Sequence, residues 1–515
     1  MPQRPDADLC LHDVFEEQAR SRPHEWAVIE NGTRIAYREA NERVQRLTTL
    51  LLQRGVDAGD RVVWLGQNSF RLLELVMAAG RIGAMVCPAN WRQSPDELDF
   101  MLRDLDPAIV IAESGELAES VDHLRTVLTS AIWMFVDDGP EGYEAALARC
   151  EPYTAVRHRD PSTPVLIMYT AAHDGRPNGA MLTHQGLIAA GVVHAVINGI
   201  FTERPVFLAA LPLYHIATFM GCLSTTLLGG TNVYVARPAA GEICRLLAEE
   251  RCTWAYLTGP IIGQVAQAAE ETDADLSAFC TPLAYARADS RWEKLGKPST
   301  APWSLQPGAF GQTEMTGIIT YAALAVGAAG AAGRPSPWSL VRIVDPDGNE
   351  VAAGETGEIT ARGVTVGAGY WNRPELNERR CRGGWWHTGD LGRREADGSL
   401  NFVGPMIRMV KSGKENVYPA EVERCLREHP DIADAAVLGV PDAEWEQAVK
   451  AVVVLAAGAQ LSEDDVITHC RERIASYKKP KFVVFAQELP RQGGHVDRDE
   501  LDRQFGGGGY PGVGA

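Results

Sequence analysis

Apolar and polar positions along this chain switch repeatedly between two periods. Around residues 11–21, 40–54, 70–83 and 94–104 the apolar residues recur every three or four positions, which predicts amphipathic helices; Gly55 stops the second. Residues 26–30 and 33–37 flank Asn31-Gly32 and predict a short hairpin. The short apolar runs 61–65, 85–88 and 108–112 predict buried strands between the helices. This alternation predicts an α/β fold of layered sheets and helices with a largely parallel sheet.

The stretch 165–184 stands at the centre of the pattern. Its apolar start predicts a buried strand, Gly175, Pro177 and Gly179 predict a turn, and Thr183-His184 predicts a helix start. A strand, a glycine-bearing turn and a helix start suit a phosphate. Yet Ala171, Ala172, His173 and Asp174 stand where glycines and hydroxyls would serve, and Asn178 stands where a lysine would. Further on, strands are predicted at 207–211, 232–236, 254–257 and 283–288, helices at 217–228 and 243–251, and a carboxylate-bearing turn at 309–314. Short β runs from 341 to 370 and a hairpin at Asp397-Gly398 predict a β subdomain. A helix at 421–428, strands at 435–440 and 449–455 and a helix at 464–474 predict a compact α+β module, followed by a glycine-rich disordered tail at 506–515.

The 515 residues, 45% of them hydrophobic, are too many for one core and predict two or more domains. A net charge of −18 argues against a broad nucleic-acid surface. Ten cysteines without CxxC or CxxH spacing read as reduced thiols packed as small hydrophobes, with no metal site. The first residues carry no apolar leader and no run reaches membrane-spanning length, so a cytoplasmic enzyme is expected.

Seven motifs then occur in order: Tyr169-Thr170 through Gly179 to Thr183-His184; Leu211-Pro-Leu-Tyr-His215; Phe310-Gly-Gln-Thr-Glu314; Tyr370-Trp-Asn-Arg-Pro374; Gly384-Trp-x-x-Thr-Gly-Asp390; Ser412-Gly-Lys-Glu-Asn-Val-Tyr-Pro-Ala-Glu-Val-Glu423; and Tyr477-Lys-Lys-Pro480. Together they resemble the adenylate-forming superfamily of acyl-CoA synthetases, luciferases and peptide-synthetase adenylation domains, with fatty-acyl-CoA ligases the nearest likeness. The resemblance implies an adenylate- and acyl-binding domain at 1–403, a hinge at 404–407 including Ile407, and a mobile C-terminal domain at 408–505. It implies two half-reactions: ATP and a carboxylate give an acyl-adenylate and pyrophosphate, and CoA thiol then displaces AMP.

Four stretches depart from the family pattern. The phosphate loop resembles Thr-Ser-Gly-Thr-Thr-Gly-x-Pro-Lys-Gly in the family, but here the hydroxyls and the lysine are gone and Asp174 is added. Facing a phosphate at about 4 Å, with an effective dielectric of about 20, that carboxylate repels by roughly 4 kcal/mol. Leu489-Pro-Arg-Gln-Gly-Gly-His495 places His495 nearest the adenylation lysine, Pro405 falls on the hinge arginine, and Arg287-Ala-Asp-Ser290 replaces the adenine-contacting Gly-Gly-Ala-Pro.

The thioester-forming half is retained. The resemblance assigns His215, Gly413, Lys414 and Glu415 to catalysis, and Tyr169, Gly311, Thr313, Glu314 and Asp390 to adenylate binding, with Asp390 on the ribose. Glu314 reads either as a ligand of metal and phosphate or as a structural carboxylate. His173 and Asp174 read as drift in an idle loop, with a new catalytic pair as the alternative. Lys414 reads as a contact of the CoA phosphate or as a solvated lysine. Lys478, Lys479 and Lys481 read as surface charges, with CoA contact the alternative. The small residues Ala217, Gly221, Gly229 and Gly230 read as room for a bulky acid or as packing.

Three of the four losses fall on ATP handling and the first step, as in the non-adenylating acyl-CoA ligases of platensimycin-type diterpenoid biosynthesis that the pattern resembles. The expectation is an enzyme joining a hydrophobic acyl-adenylate to CoA, with a role for ATP and Mg²⁺ in doubt and a separate adenylating ligase as partner. A complete two-step synthetase and an inactive acyl- or adenylate-binding protein are the alternatives.

Overall fold

The computed structural model describes residues 9–115, 117–136, 139–155, 159–170, 177–201, 204–413, 415–492 and 495–508. A large N-terminal α/β domain carries a small C-terminal α+β domain, as the alternation of periods predicts.

Two sheets with helices against them form the body of the large domain. One runs in the order Ile132–Phe135, Ile109–Ala112, Arg61–Leu65, Met85–Pro88, Pro164–Thr170, Asn178–Thr183, parallel except for the last pair. The other runs Trp254–Ala255, Val206–Ala209, Thr231–Tyr234, Trp26–Glu30, Thr33–Ala36. The helices Leu11–Ser21, Tyr37–Gln53, Phe70–Ile82 and Ile216–Leu227 supply buried residues to the main core, among them Leu11, Leu47, Leu75 and Phe219. Parallel strands covered on both faces need continuous apolar runs, and Val62 to Leu65 and Ile109 to Ala112 are buried at every position. The antiparallel strands Ser339–Val344, Thr356–Gly363, Trp385–Arg394 and Leu400–Pro405 build the β subdomain. In the small domain, Glu446–Leu455 pairs with Ile432–Asp442, and the helices Pro419–Arg427 and Glu463–Arg473 cover a core of Val422, Leu426, Val437 and Val466. Among the described residues, no helix is long and apolar enough to cross a membrane.

Four expectations need correction. The central stretch opens on the strand Pro164–Thr170 and starts a helix at His184 as expected, but Asn178–Thr183 between them is a strand, hydrogen-bonded back onto Pro164–Thr170, and Gly175 lies outside the described residues. Six residues, four of them apolar or glycine, fit a strand as well as a turn, and pairing with Pro164–Thr170 decides between them. Residues 283–288 form a helix, Leu283–Ala288: the Leu283 N–H at its start donates to Ser304 Oγ at 2.9 Å, and Tyr285 anchors it by donating its hydroxyl to the Ala255 carbonyl at 3.1 Å. The run 309–314 is a strand, Ala309–Gln312, followed by a 3-10 turn at Thr313–Met315. The start of the glycine-rich tail is ordered: Gln447 donates to the Gly508 carbonyl at 2.7 Å and Gly508 N–H donates to Gly439 at 3.1 Å. Residues 509–515 lie outside the described residues.

Candidate active site

The site is assembled where the 3-10 turn Thr313–Met315, the strand Trp385–Arg394 and the first hairpin of the small domain meet. Gln312 ends its strand half-buried and donates to Asp390 Oδ2 at 2.6 Å and to the Thr388 carbonyl at 3.1 Å. Glu314 accepts from the Tyr370 hydroxyl at 2.6 Å and from Thr170 Oγ1 at 3.4 Å. Both carboxylates are buried. Burial above all pushes the Asp390 carboxyl up to about 7; the Gln312 hydrogen bond works against that, and the Glu314 charge adds to it. Gly311 fits because of its neighbours: a Cβ there would lie 2.2 Å from the Gly317 carbonyl oxygen and 2.4 Å from Ile318 Cα. Thr313 is half-buried beside Glu314.

From the small domain, Val410–Ser412 and Glu415–Val417 pair antiparallel with Ser412 opposite Glu415. Gly413 has φ +62°, a left-handed conformation that favours glycine, and its N–H donates to Trp445 at 2.7 Å. This hairpin brings Glu415 Oε1 to 3.4 Å from His215 Nε2, where His215 precedes the helix Ile216–Leu227. Arg92 Nη1 reaches the same carboxylate at 3.6 Å. Burial alone would raise the Glu415 carboxyl, but the His215 hydrogen bond and the charges of His215, Arg92 and Lys478 outweigh it and hold Glu415 below the usual range. Tyr418 follows the hairpin into the same wall: burial raises its phenol, the Asp390 and Glu314 charges add to that, and Arg380 opposes it.

The structure thus brings together His215, Gly413 and Glu415, and beside them Gly311, Thr313, Glu314 and Asp390. Ala171, Ala172, His173, Asp174 and Lys414 lie outside the described residues. Asn178 stands on a strand, 4% exposed, with its Oδ1 accepting from Arg373 Nε at 3.2 Å. Arg373 in turn pairs with Asp104 at 2.7 Å. Tyr169 donates its hydroxyl to Asp104 Oδ2 at 2.7 Å, so its polar end is already engaged. His495 is on the two-residue strand His495–Val496, paired with Arg491–Gln492 within the small domain. The strand Leu400–Pro405 continues into the expected hinge, and Ile407 is exposed. Arg287 lies in the last turn of the helix Leu283–Ala288, where an adenine-contacting segment was expected, and Asp289 pairs with Arg291 at 2.6 Å.

Two readings of single residues change. Lys478 is not a surface charge: it is 3% exposed and its Nζ lies 2.6 Å from both Glu97 and Glu421. Lys481 does pair on the surface, with Asp442. The small residues serve packing at three positions: a Cβ on Gly221 would meet the Phe207 ring at 2.4 Å, on Gly229 the Arg22 side chain at 2.6 Å, and on Gly230 the Pro205 carbonyl at 2.4 Å. Sequence reasoning missed Arg92, Glu97 and Gln312 as site neighbours. Gln312 lay inside a quoted motif, and Ser94-x-x-Glu97 carries a helix-capping signal; nothing in the chain marks Arg92. It also missed a buried convergence of Cys10, His12 and His184, whose ligand-type atoms lie within 4.8 Å of one another.

The family described as AMP-binding enzyme matches residues 15–371, and the AMP-binding enzyme C-terminal domain matches residues 421–494. A feruloyl-CoA synthase of Amycolatopsis sp is 36% identical over 502 residues, covering 95% of this chain and 98% of the relative. An indoleacetate–CoA ligase of Aromatoleum aromaticum is 33% identical over 505 residues, covering 95% and 97%. The solved structure of an o-succinylbenzoate CoA synthetase from Bacillus subtilis, bound with a product analogue, superposes with a TM-score of 0.79 at 25% identity, covering 95% of this chain and 97% of that one. The chain therefore belongs to the AMP-binding enzyme family and is an acyl-CoA ligase of the adenylate-forming superfamily.

Proposed function

We propose that this ligase performs the second half-reaction alone, moving an acyl group from a preformed acyl-adenylate to CoA and releasing AMP. The observation that carries the reading is a contrast. Glu415 of the thioester-forming hairpin stands at His215, whereas the position of the phosphate-loop lysine is held by Asn178, buried against Arg373. In the proposed step the CoA sulfur bonds to the acyl carbon, the bond from that carbon to the AMP oxygen breaks, and the thiol proton leaves to the His215–Glu415 side. The mixed anhydride is already activated, so the site mainly has to position the thiol and meet the developing charge. Asp390 holds the ribose, and Glu314 and Thr313 line the adenylate. A small-domain hinge at 404–407 and a separate adenylating ligase that supplies the acyl-adenylate belong to this reading, as does a role in natural-product assembly of the diterpenoid kind. ATP and Mg²⁺ have no part in it.

A complete two-step synthetase is the second reading. The full-length likeness to a feruloyl-CoA synthase and an indoleacetate–CoA ligase favours it, as does the retained pair of Thr170 and Glu314. Both readings transfer a hydrophobic acyl group to CoA. Synthetic acyl-adenylates offered with CoA test the step they share: thioester and AMP appear together by mass, and no consumption of acyl-adenylate sinks both in favour of a binding protein.

A further inference from the structure

One helix cap of the large domain grips the small domain at several points. Ser94 and Glu97 open the helix Pro95–Leu105 as a reciprocal cap: the Ser94 N–H donates to Glu97 Oε2 at 3.0 Å, and the Glu97 N–H donates to Ser94 Oγ at 3.3 Å. The same hydroxyl donates to the Arg473 carbonyl of the small domain at 2.6 Å. Glu97 Oε1, left over from the cap, receives Lys478 Nζ at 2.6 Å, and that ammonium also donates to Glu421 Oε1 at 2.6 Å. Glu97, Lys478 and Glu421 are 8%, 3% and 1% exposed. Glu421 Oε2 is buried without a hydrogen-bond partner among the described residues. The ammonium therefore offsets much of what both carboxylates lose by leaving water, and removing it strands the two of them.

The grip is continuous with the candidate active site. Glu421 lies in the helix Pro419–Arg427, which begins two residues after the strand Glu415–Val417. Arg92, just ahead of the cap, reaches Glu415 at 3.6 Å and lies over the Tyr477 ring at 5.5 Å, next to Lys478. We infer that Glu97 and Lys478 are positioning residues for thioester formation: their buried ion pair seats the small domain on the helix cap and so holds Gly413 and Glu415 at His215 for the incoming thiol. The inference rests on the proposed reading of that hairpin as the thioester-forming loop.

Glu97→Gln, Lys478→Met and the double variant test it, because glutamine still completes the helix cap. The assay starts from synthetic acyl-adenylate and varies CoA. A loosened seat lowers the fraction of chains ready for CoA, and saturating CoA draws them back. The KM for CoA therefore rises about tenfold in each single variant, the lower end of what a hydrogen bond to a charged group is worth, while kcat is kept. The double variant loses no more than either single one, as residues acting through one contact do. Amide exchange over residues 415–418 quickens in all three. An unchanged KM, a fall in kcat at unchanged KM of the kind a partly unfolded sample gives, or unchanged exchange at 415–418 overturns the assignment. If the wild-type chain makes no thioester from acyl-adenylate, the proposed function falls, and the exchange at 415–418 still decides whether the ion pair seats the hairpin.

Discussion

His215 of the large domain and Glu415 of the small domain face each other, Nε2 to Oε1, at 3.4 Å. His215 is fixed at the start of a helix and is nearly half exposed, while Glu415 rides on a hairpin and is largely enclosed. The pair stands at the mouth of the site with Arg92 as its third member.

Removing the imidazole should hurt the thiol step most. His215→Ala is expected to lower kcat/KM for thioester formation from acyl-adenylate about 100-fold, the low end of what a positioned proton-transfer group contributes. The thermal midpoint should move little, because the ring is partly solvated. A variant as active as the wild type would remove His215 from the chemistry.

Asp390 should make stability and ligand binding depend on pH in opposite senses. Its carboxyl is pushed up to about 7 from an ordinary 3.8, first by burial. The folded chain keeps a proton there that the unfolded chain releases, so this group's contribution to stability falls as pH rises from about 4 to about 7. Denaturant titrations of the wild type and Asp390→Asn should diverge across that window in favour of the variant. Ribose hydroxyls donate to the ionised carboxylate, so a non-hydrolysable acyl-adenylate analogue should bind about tenfold tighter at pH 8 than at pH 6. Flat binding across that range would show that Asp390 does not receive the ribose.

Restoring the missing lysine should not restore adenylation. Asn178 is buried beside the Arg373 guanidinium, so Asn178→Lys places a second cation there without a new carboxylate. The variant is expected to lose about 1–3 kcal/mol of stability and to release no pyrophosphate from ATP. Pyrophosphate release by this single variant would show that the position alone limits the first step.

The parts legible in the sequence are those where local pattern and tertiary packing agree. The apolar runs at 61–65 and 108–112 become the buried parallel strands Arg61–Leu65 and Ile109–Ala112, and Asn31-Gly32 turns the hairpin. The helix at 283–288 and the strand at 178–183 depart from expectation because segments of six residues are too short for either period to stand out, and partners distant in the chain make the choice. Motifs named His215, Glu415, Glu314 and Asp390, and the fold gathers them. Lys478 was misread because a lysine in a basic run is usually solvated; only the structure shows two carboxylates closing over it.

The central claim is that the chain joins acyl groups to CoA without making the adenylate. Its most direct test runs two reactions side by side on the same preparation. One supplies ATP, magnesium and a panel of hydrophobic acids and follows pyrophosphate; the other supplies synthetic acyl-adenylate and CoA and follows thioester by mass. Thioester in the second without pyrophosphate in the first is the predicted result. Pyrophosphate released in step with any acid would contradict it and make the chain a complete two-step synthetase.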